Sequence, residues 1–119
     1  MSAAFDHRLI RLLVVDKHFF VRLGLADALN AEPDICVVAE TDNAAGAIRL
    51  FGELRPDVVL LDGQLADSMG TETLATLRQE FPEARVLLLS INDGPKEAGS
   101  ALASGASGYL TKNASLAQL

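Results

Sequence analysis

Short apolar bursts alternate along this chain with longer stretches in which apolar residues recur every three or four positions. The bursts are Leu12-Leu13-Val14-Val15, Cys36-Val37-Val38-Ala39, Val58-Val59-Leu60-Leu61, Val86-Leu87-Leu88-Leu89 and the shorter Gly108-Tyr109-Leu110-Thr111. They are too short for helices, rich in branched residues, and lack clean in/out alternation. That is the pattern of strands covered on both faces. Between them the spacing predicts helices. Residues 19–31 place Val21, Leu25, Ala28 and Leu29 on one face. Residues 43–54 group Ala44, Ala47, Ile48 and Phe51, with Asn43 or Asp42 as N-cap. Residues 71–80 turn Leu74 and Leu77 inward, and Phe81-Pro82 stops that helix. Residues 95–104 make a poor helix, weakened by Gly99 and two serines and preceded by Gly94-Pro95, so that segment is expected to be short or mobile. Residues 114–119 begin a fifth, incomplete helix.

A strand–helix alternation repeated five times implies a mostly parallel sheet with helices on both faces. Five strands favour the flavodoxin-like, doubly wound α/β order 2-1-3-4-5, in which the site lies beyond the carboxyl ends of strands 1 and 3. Strand 1 runs into Asp16-Lys17 and strand 3 into Asp62. Strand 4 ends at Ser90, and Lys112 follows strand 5. Topology alone thus directs Asp16, Lys17, Asp62, Ser90 and Lys112 toward one crevice.

Composition narrows the class. The chain has 119 residues, the size of one domain, with 50% hydrophobic and 22% charged residues, as in a soluble globular protein. A net charge of −6 argues against a nucleic-acid surface within these residues, since phosphate backbones need clustered Lys and Arg. Cys36 is the single cysteine and cannot form an internal disulfide, which fits a reducing, cytoplasmic setting. No apolar run approaches the roughly 18 residues of a membrane span. The N-terminus has no signal-peptide layout.

A carboxylate, a hydroxyl and a lysine at neighbouring strand ends suit a phosphoryl group. The carboxylate can accept it, Lys112 can neutralise its oxygens, and Ser90 can donate a hydrogen bond. Polar strand ends also arise simply because strands end in water. Other doubly wound sites fit less well. The loop Lys17-His18-Phe19-Phe20 lacks the Gly, Ser and Thr donors of a flavin phosphate loop. Asp62-Gly63-Gln64 offers an amide where a phosphatase with an aspartate nucleophile usually has a second acid. A dinucleotide fingerprint and a P-loop are both absent. A small α/β enzyme stays as an alternative.

The motifs LLVVDKH, VRLGLADALNAEPDICVVAE, RPDVVLLD, RVLLLS and GASGYLTKNAS together resemble the receiver domains of bacterial two-component response regulators, and within them the LuxR/NarL-type subfamily. The resemblance runs from about Arg11 to Leu119, so residues 1–119 read as one receiver domain. It implies that Asp62 is the phosphoaccepting position, Ser90 the hydroxyl that senses the phosphoryl group, Tyr109 the aromatic switch position and Lys112 the phosphate-binding lysine. Asp16, Asp62 and the Gln64 backbone carbonyl match the Mg²⁺ site. The implied role is signal transduction, not enzymatic turnover. The implied partners are a sensor histidine kinase and either a second copy of the chain or a fused DNA-binding output domain in a longer regulator. No DNA-binding element lies within these residues, and no membrane is involved.

Two departures stand out. Relatives of this kind have two acids after strand 1, and the second is a direct Mg²⁺ ligand; here that position is Lys17. Ala66 replaces the proline that stiffens the loop after the acceptor. One lysine added to two carboxylates leaves the same net charge as Mg²⁺ added to three, so Lys17 is the expected stand-in for the metal. Mg²⁺ is expected to bind weakly or not at all, and the module to act without Mg²⁺-dependent phosphorylation. The alternative is a conventional receiver phosphorylated on Asp62. His18 reads as a packing or capping residue, and the Gln64 side chain as of little consequence.

Overall fold

The computed structural model describes residues 9–65, 67, 69–90 and 105–111. Its elements are β1 (Ile10–Val15), α1 (Phe19–Asn30), β2 (Ile35–Thr41), α2 (Ala44–Leu54), β3 (Val58–Asp62), α3 (Gly70–Glu80), β4 (Val86–Ser90) and β5 (Gly108–Thr111). All pairings are parallel and the order is β2-β1-β3-β4-β5, the doubly wound arrangement that the alternation predicts.

The run Leu12–Val15 is buried throughout, because β1 sits inside the sheet with helices on both faces. Successive side chains go to opposite sides. Leu13, Val15, Val59, Leu61, Val86 and Leu88 face one layer, against Ala47 and Phe51 of α2 and Leu74 and Leu77 of α3. Leu12, Val14, Leu60 and Leu89 face the other, against Leu29 of α1. Phe51 is 2% exposed, and burying such a ring contributes about 1.5–3 kcal/mol. Strand β2, at the edge, is only half-buried, and its register with β1 shifts by one residue between Leu12 and Leu13.

The helix ends follow local chemistry. Asn43 caps α2, its side-chain oxygen accepting from the Gly46 amide at 2.6 Å, a cap of about 1 kcal/mol. Helix α3 ends at Phe81 before Pro82, and Arg78 in its last turn donates to the carbonyls of Pro82 and Ala84.

Helix α1 departs from the expected face. Val21 is exposed, and the inward stripe runs Arg22, Leu25, Ala26, Leu29. A charged residue leads the stripe because its guanidinium reaches the Asp16 carbonyl at the end of β1 (2.8 Å) while pairing with Glu40 of β2 (3.2 Å). The helices expected over 95–104 and 114–119, and Ala66, lie outside the described residues.

Candidate functional site

The switch point between β1 and β3 carries two buried acids. The parallel register pairs Val15 with Leu61, so the next residues, Asp16 and Asp62, emerge side by side. They are 1% and 4% exposed. A carboxylate oxygen from each and a ring nitrogen of His18 all lie within 4.8 Å of one another.

Each acid folds the chain after it in the same way. The Oδ1 of Asp16 accepts from the His18 amide at 2.8 Å, and the Oδ1 of Asp62 accepts from the Gln64 amide at 3.2 Å. These are Asx-type turns, in which an aspartate satisfies the backbone two residues on. They hold both carboxylates at the sheet's carboxyl edge instead of letting them swing into water.

The loop after Asp62 is closed by its own backbone. The Gly63 amide donates to the Leu89 carbonyl of β4, and the Gly70 amide donates to the Gly63 carbonyl at 2.9 Å. Gln64 and Met69 form an antiparallel bridge across the loop. Gly70 approaches so closely that a Cβ there would collide with the Asp62 carbonyl oxygen and lie 2.8 Å from Gly63 Cα. Only glycine fits such an approach. Farther along the loop, Asp67 accepts from the amides of Ala44 (2.7 Å) and Ala45 (3.3 Å) at the start of α2. Those bonds, the Ala44 amide foremost, hold the Asp67 carboxyl below its ordinary value of 3.8.

Lys17 does not sit on the acids. Its ammonium donates to the side-chain Oε1 of Gln64 at 3.3 Å on the exposed rim, and no ion pair within 4 Å joins it to Asp16 or Asp62 among the described residues. The Gln64 side chain therefore matters more than its family position suggests, because it receives the lysine. His18 follows the expectation of a packing or capping residue in position but not in bonding. It occupies the N-cap position of α1, but its side chain makes no capping bond and is 54% exposed. Its Nδ1 instead lies 3.2 Å from Asp16 Oδ1. Ser90 and Thr111 are register partners at the ends of β4 and β5, which puts Ser90 at the same edge of the sheet as the acids. Tyr109 lies within β5, and Lys112 lies outside the described residues.

Sequence reasoning missed Gly70, Arg22 and Asp67. A glycine at the start of a helix, poor in propensity, was the one available sign for Gly70. Arg22 at the head of an apolar stripe was the sign for the second.

A doubly wound sheet with two buried carboxylates at its switch point, each held by its own turn, defines a class of α/β proteins with an acidic pocket at the carboxyl edge of the sheet. The response regulator receiver domain family matches residues 12–119, and the chain belongs to that family. It is 34% identical over 112 residues to the transcriptional regulatory protein DegU of Brevibacillus brevis, covering 94% of this chain and 48% of that protein. It is 36% identical over 105 residues to the DNA-binding transcriptional activator DevR/DosR of Mycobacterium tuberculosis, covering 88% and 48%. Among solved structures, a LuxR-family two-component response regulator from Aurantimonas sp. SI85-9A1 superposes with a TM-score of 0.88 at 36% identity, covering 92% of this chain and 79% of that one. The chain spans about half the length of these curated relatives. Its homologues are LuxR-type response regulators, which are signalling proteins. Among the described residues, no helix is long and apolar enough to cross a membrane.

Receiver domains of this family bind Mg²⁺. Asp16 and Asp62 fit two of its ligand positions. The position after Asp16 holds an ammonium, which cannot ligate and repels a cation. Mg²⁺ demands oxygen ligands in near-octahedral geometry. Two buried carboxylates beside a rim ammonium are a poorer oxygen set for Mg²⁺ than three carboxylates.

Proposed function

We propose that this chain is the receiver module of a longer, cytoplasmic LuxR-type regulator, and that it works without Mg²⁺-dependent phosphorylation. In this reading it acts by contact, with a second copy or with a DNA-binding output domain. The carrying observation is Lys17, held by Gln64 at the rim of a pocket whose two acids remain buried. Phosphoryl transfer to a carboxylate depends on a cation that bridges acceptor and phosphoryl oxygens. A tethered, monovalent ammonium on the rim supplies that poorly. Ser90, Tyr109 and Lys112 keep the residue types of the phosphate-sensing, switching and phosphate-binding positions. They support a pocket whose shape is retained while its chemistry is changed.

A second reading also has an observation behind it. Because Lys17 rests on Gln64 and not on an acid, it can swing aside, and Asp62 is then a conventional acceptor for a sensor histidine kinase. The two readings separate in one experiment. Mg²⁺ is titrated into the wild-type protein and into Lys17→Asp, and each is then treated with a small acyl phosphate. The first reading expects Mg²⁺ affinity and Asp62 labelling to rise at least about tenfold in Lys17→Asp. Rapid, stoichiometric, Mg²⁺-dependent labelling of wild-type Asp62 overturns it.

A further inference from the structure

Helix α1 turns an apolar strip outward. Phe20 is 81% exposed and Leu23 51%, and exposed Gly24 shares their face, one turn after Phe20. Arg22 is the one charged residue from 19 to 26, and it is turned inward to the Asp16 carbonyl and Glu40, so the strip itself is uncharged. Among the described residues, nothing in the chain's own packing calls for Gly24. Glycine weakens a helix interior, and a Cβ at this position would meet nothing within 4 Å. An aromatic knob thus stands one turn from a notch on a single exposed face. We propose that this face of α1 is a two-fold interface with a second copy of the chain.

A two-fold contact needs a surface complementary to itself. When two α1 helices lie antiparallel about an axis level with residue 22, residues equally far before and after that position face each other. Phe20 then lies over the partner's Gly24, and Leu23 meets the partner's Leu23 beside the axis. The same register sets Asp27 opposite the partner's Lys17. Both residues are exposed. Lys17 is held only by its 3.3 Å bond to Gln64, and Asp27 forms no ion pair among the described residues. Opposite charges therefore meet twice, once on each side of the axis, and offset the repulsion between two chains of net charge −6. A different partner would not require knob, notch and both charges to be placed symmetrically about one position. Helix α1 has 12 residues and is about 18 Å long, so the interface is small and the dimer weak and reversible. The inference rests on the contact reading above and names the surface through which a second copy is met.

Sedimentation equilibrium of the wild-type chain tests the interface. The expected result is a reversible monomer–dimer equilibrium that Phe20→Asp weakens at least about tenfold. Gly24→Leu separates an interface from a merely structural role. It fills the notch and should weaken the dimer by a similar factor, while raising resistance to denaturant at dilutions where the monomer prevails. Lys17→Asp and Asp27→Lys should each weaken association, and the two together should restore it. With the single cysteine removed by Cys36→Ser, Leu23→Cys should cross-link into a dimer on mild oxidation. Asp27→Cys, about 15 Å from its copy along the helix axis, should not. A chain that stays monomeric up to about 1 mM overturns the proposal and leaves the face to a helix of another protein. A dimer unchanged by both Phe20→Asp and Gly24→Leu overturns it as well. The Mg²⁺ titration and Asp62 labelling read the proposed function separately. An unlabelled monomer removes this interface and keeps that reading, whereas a dimer labelled rapidly with Mg²⁺ does the reverse.

Discussion

The two strand ends that build the pocket look alike and are held differently. Each presents a buried aspartate whose Oδ1 caps the amide two residues on. At the β3 end the chain after the acid is fixed by main chain: Gly63 is tied to Leu89, Gly70 is tied to Gly63, and Gly70 lies flat against the Asp62 carbonyl. At the β1 end the fixing is done by side chains, chiefly Arg22 on the Asp16 carbonyl and His18 beside the Asp16 carboxylate. Side chains can be exchanged without moving the backbone, and a main-chain clamp cannot. Position 17 lies at the end held by side chains, where its lysine reaches across the rim to Gln64.

The sharpest way to break this contrast is to load the main-chain clamp. Gly70→Val should destabilise the fold by ~3 kcal/mol, because the new carbons meet backbone that cannot step aside. Chemical denaturation measures it, and a loss under ~1 kcal/mol would mean that the β3 end yields as easily as the β1 end. Next in size is Arg22→Ala, expected to cost about 2 kcal/mol through the lost bond to the Asp16 carbonyl and the pair with Glu40. Amide exchange should rise after β1 and stay unchanged after β3.

Lys17→Ala should change stability by less than ~0.5 kcal/mol, since the lysine is exposed and makes one long hydrogen bond. A larger destabilisation would show that the ammonium compensates the buried acids. The smallest effect belongs to Asp67. Its folded value is depressed, so its contribution is fully present above 3.8 and is lost as pH falls through the lower folded value. In acid titrations, Asp67→Asn should remove that part of the pH dependence, lowering stability slightly above about pH 5 and leaving it nearly unchanged where the carboxyl is protonated.

Much of this was legible in the sequence for a physical reason. Strand bursts and helix periods are local patterns, and parallel winding turns their order into a sheet order. That suffices to bring Asp16 and Asp62 together, although they are far apart in the chain. The rest depends on where loops travel. The sequence makes Lys17 the stand-in for a metal and leaves its partner open; the bend after Asp62 brings Gln64 within its reach. The sequence reads His18 as a packing or capping residue; it takes the N-cap position of α1, while its ring nitrogen lies 3.2 Å from Asp16 Oδ1. Val21 was placed inward because periodicity counts apolar residues. Arg22 took that side of α1 because a guanidinium can be satisfied there by a carbonyl and a carboxylate.

The bond from Asp67 to the first amides of α2 has a mechanical meaning. The loop that carries Gln64 away from Asp62 is moored at Asp67 to another helix, by an exposed carboxylate accepting from two amides. Because that carboxylate is exposed, water competes for the same two amides. While those bonds hold, the first turn of α2 travels with the loop, and once they open the two move separately.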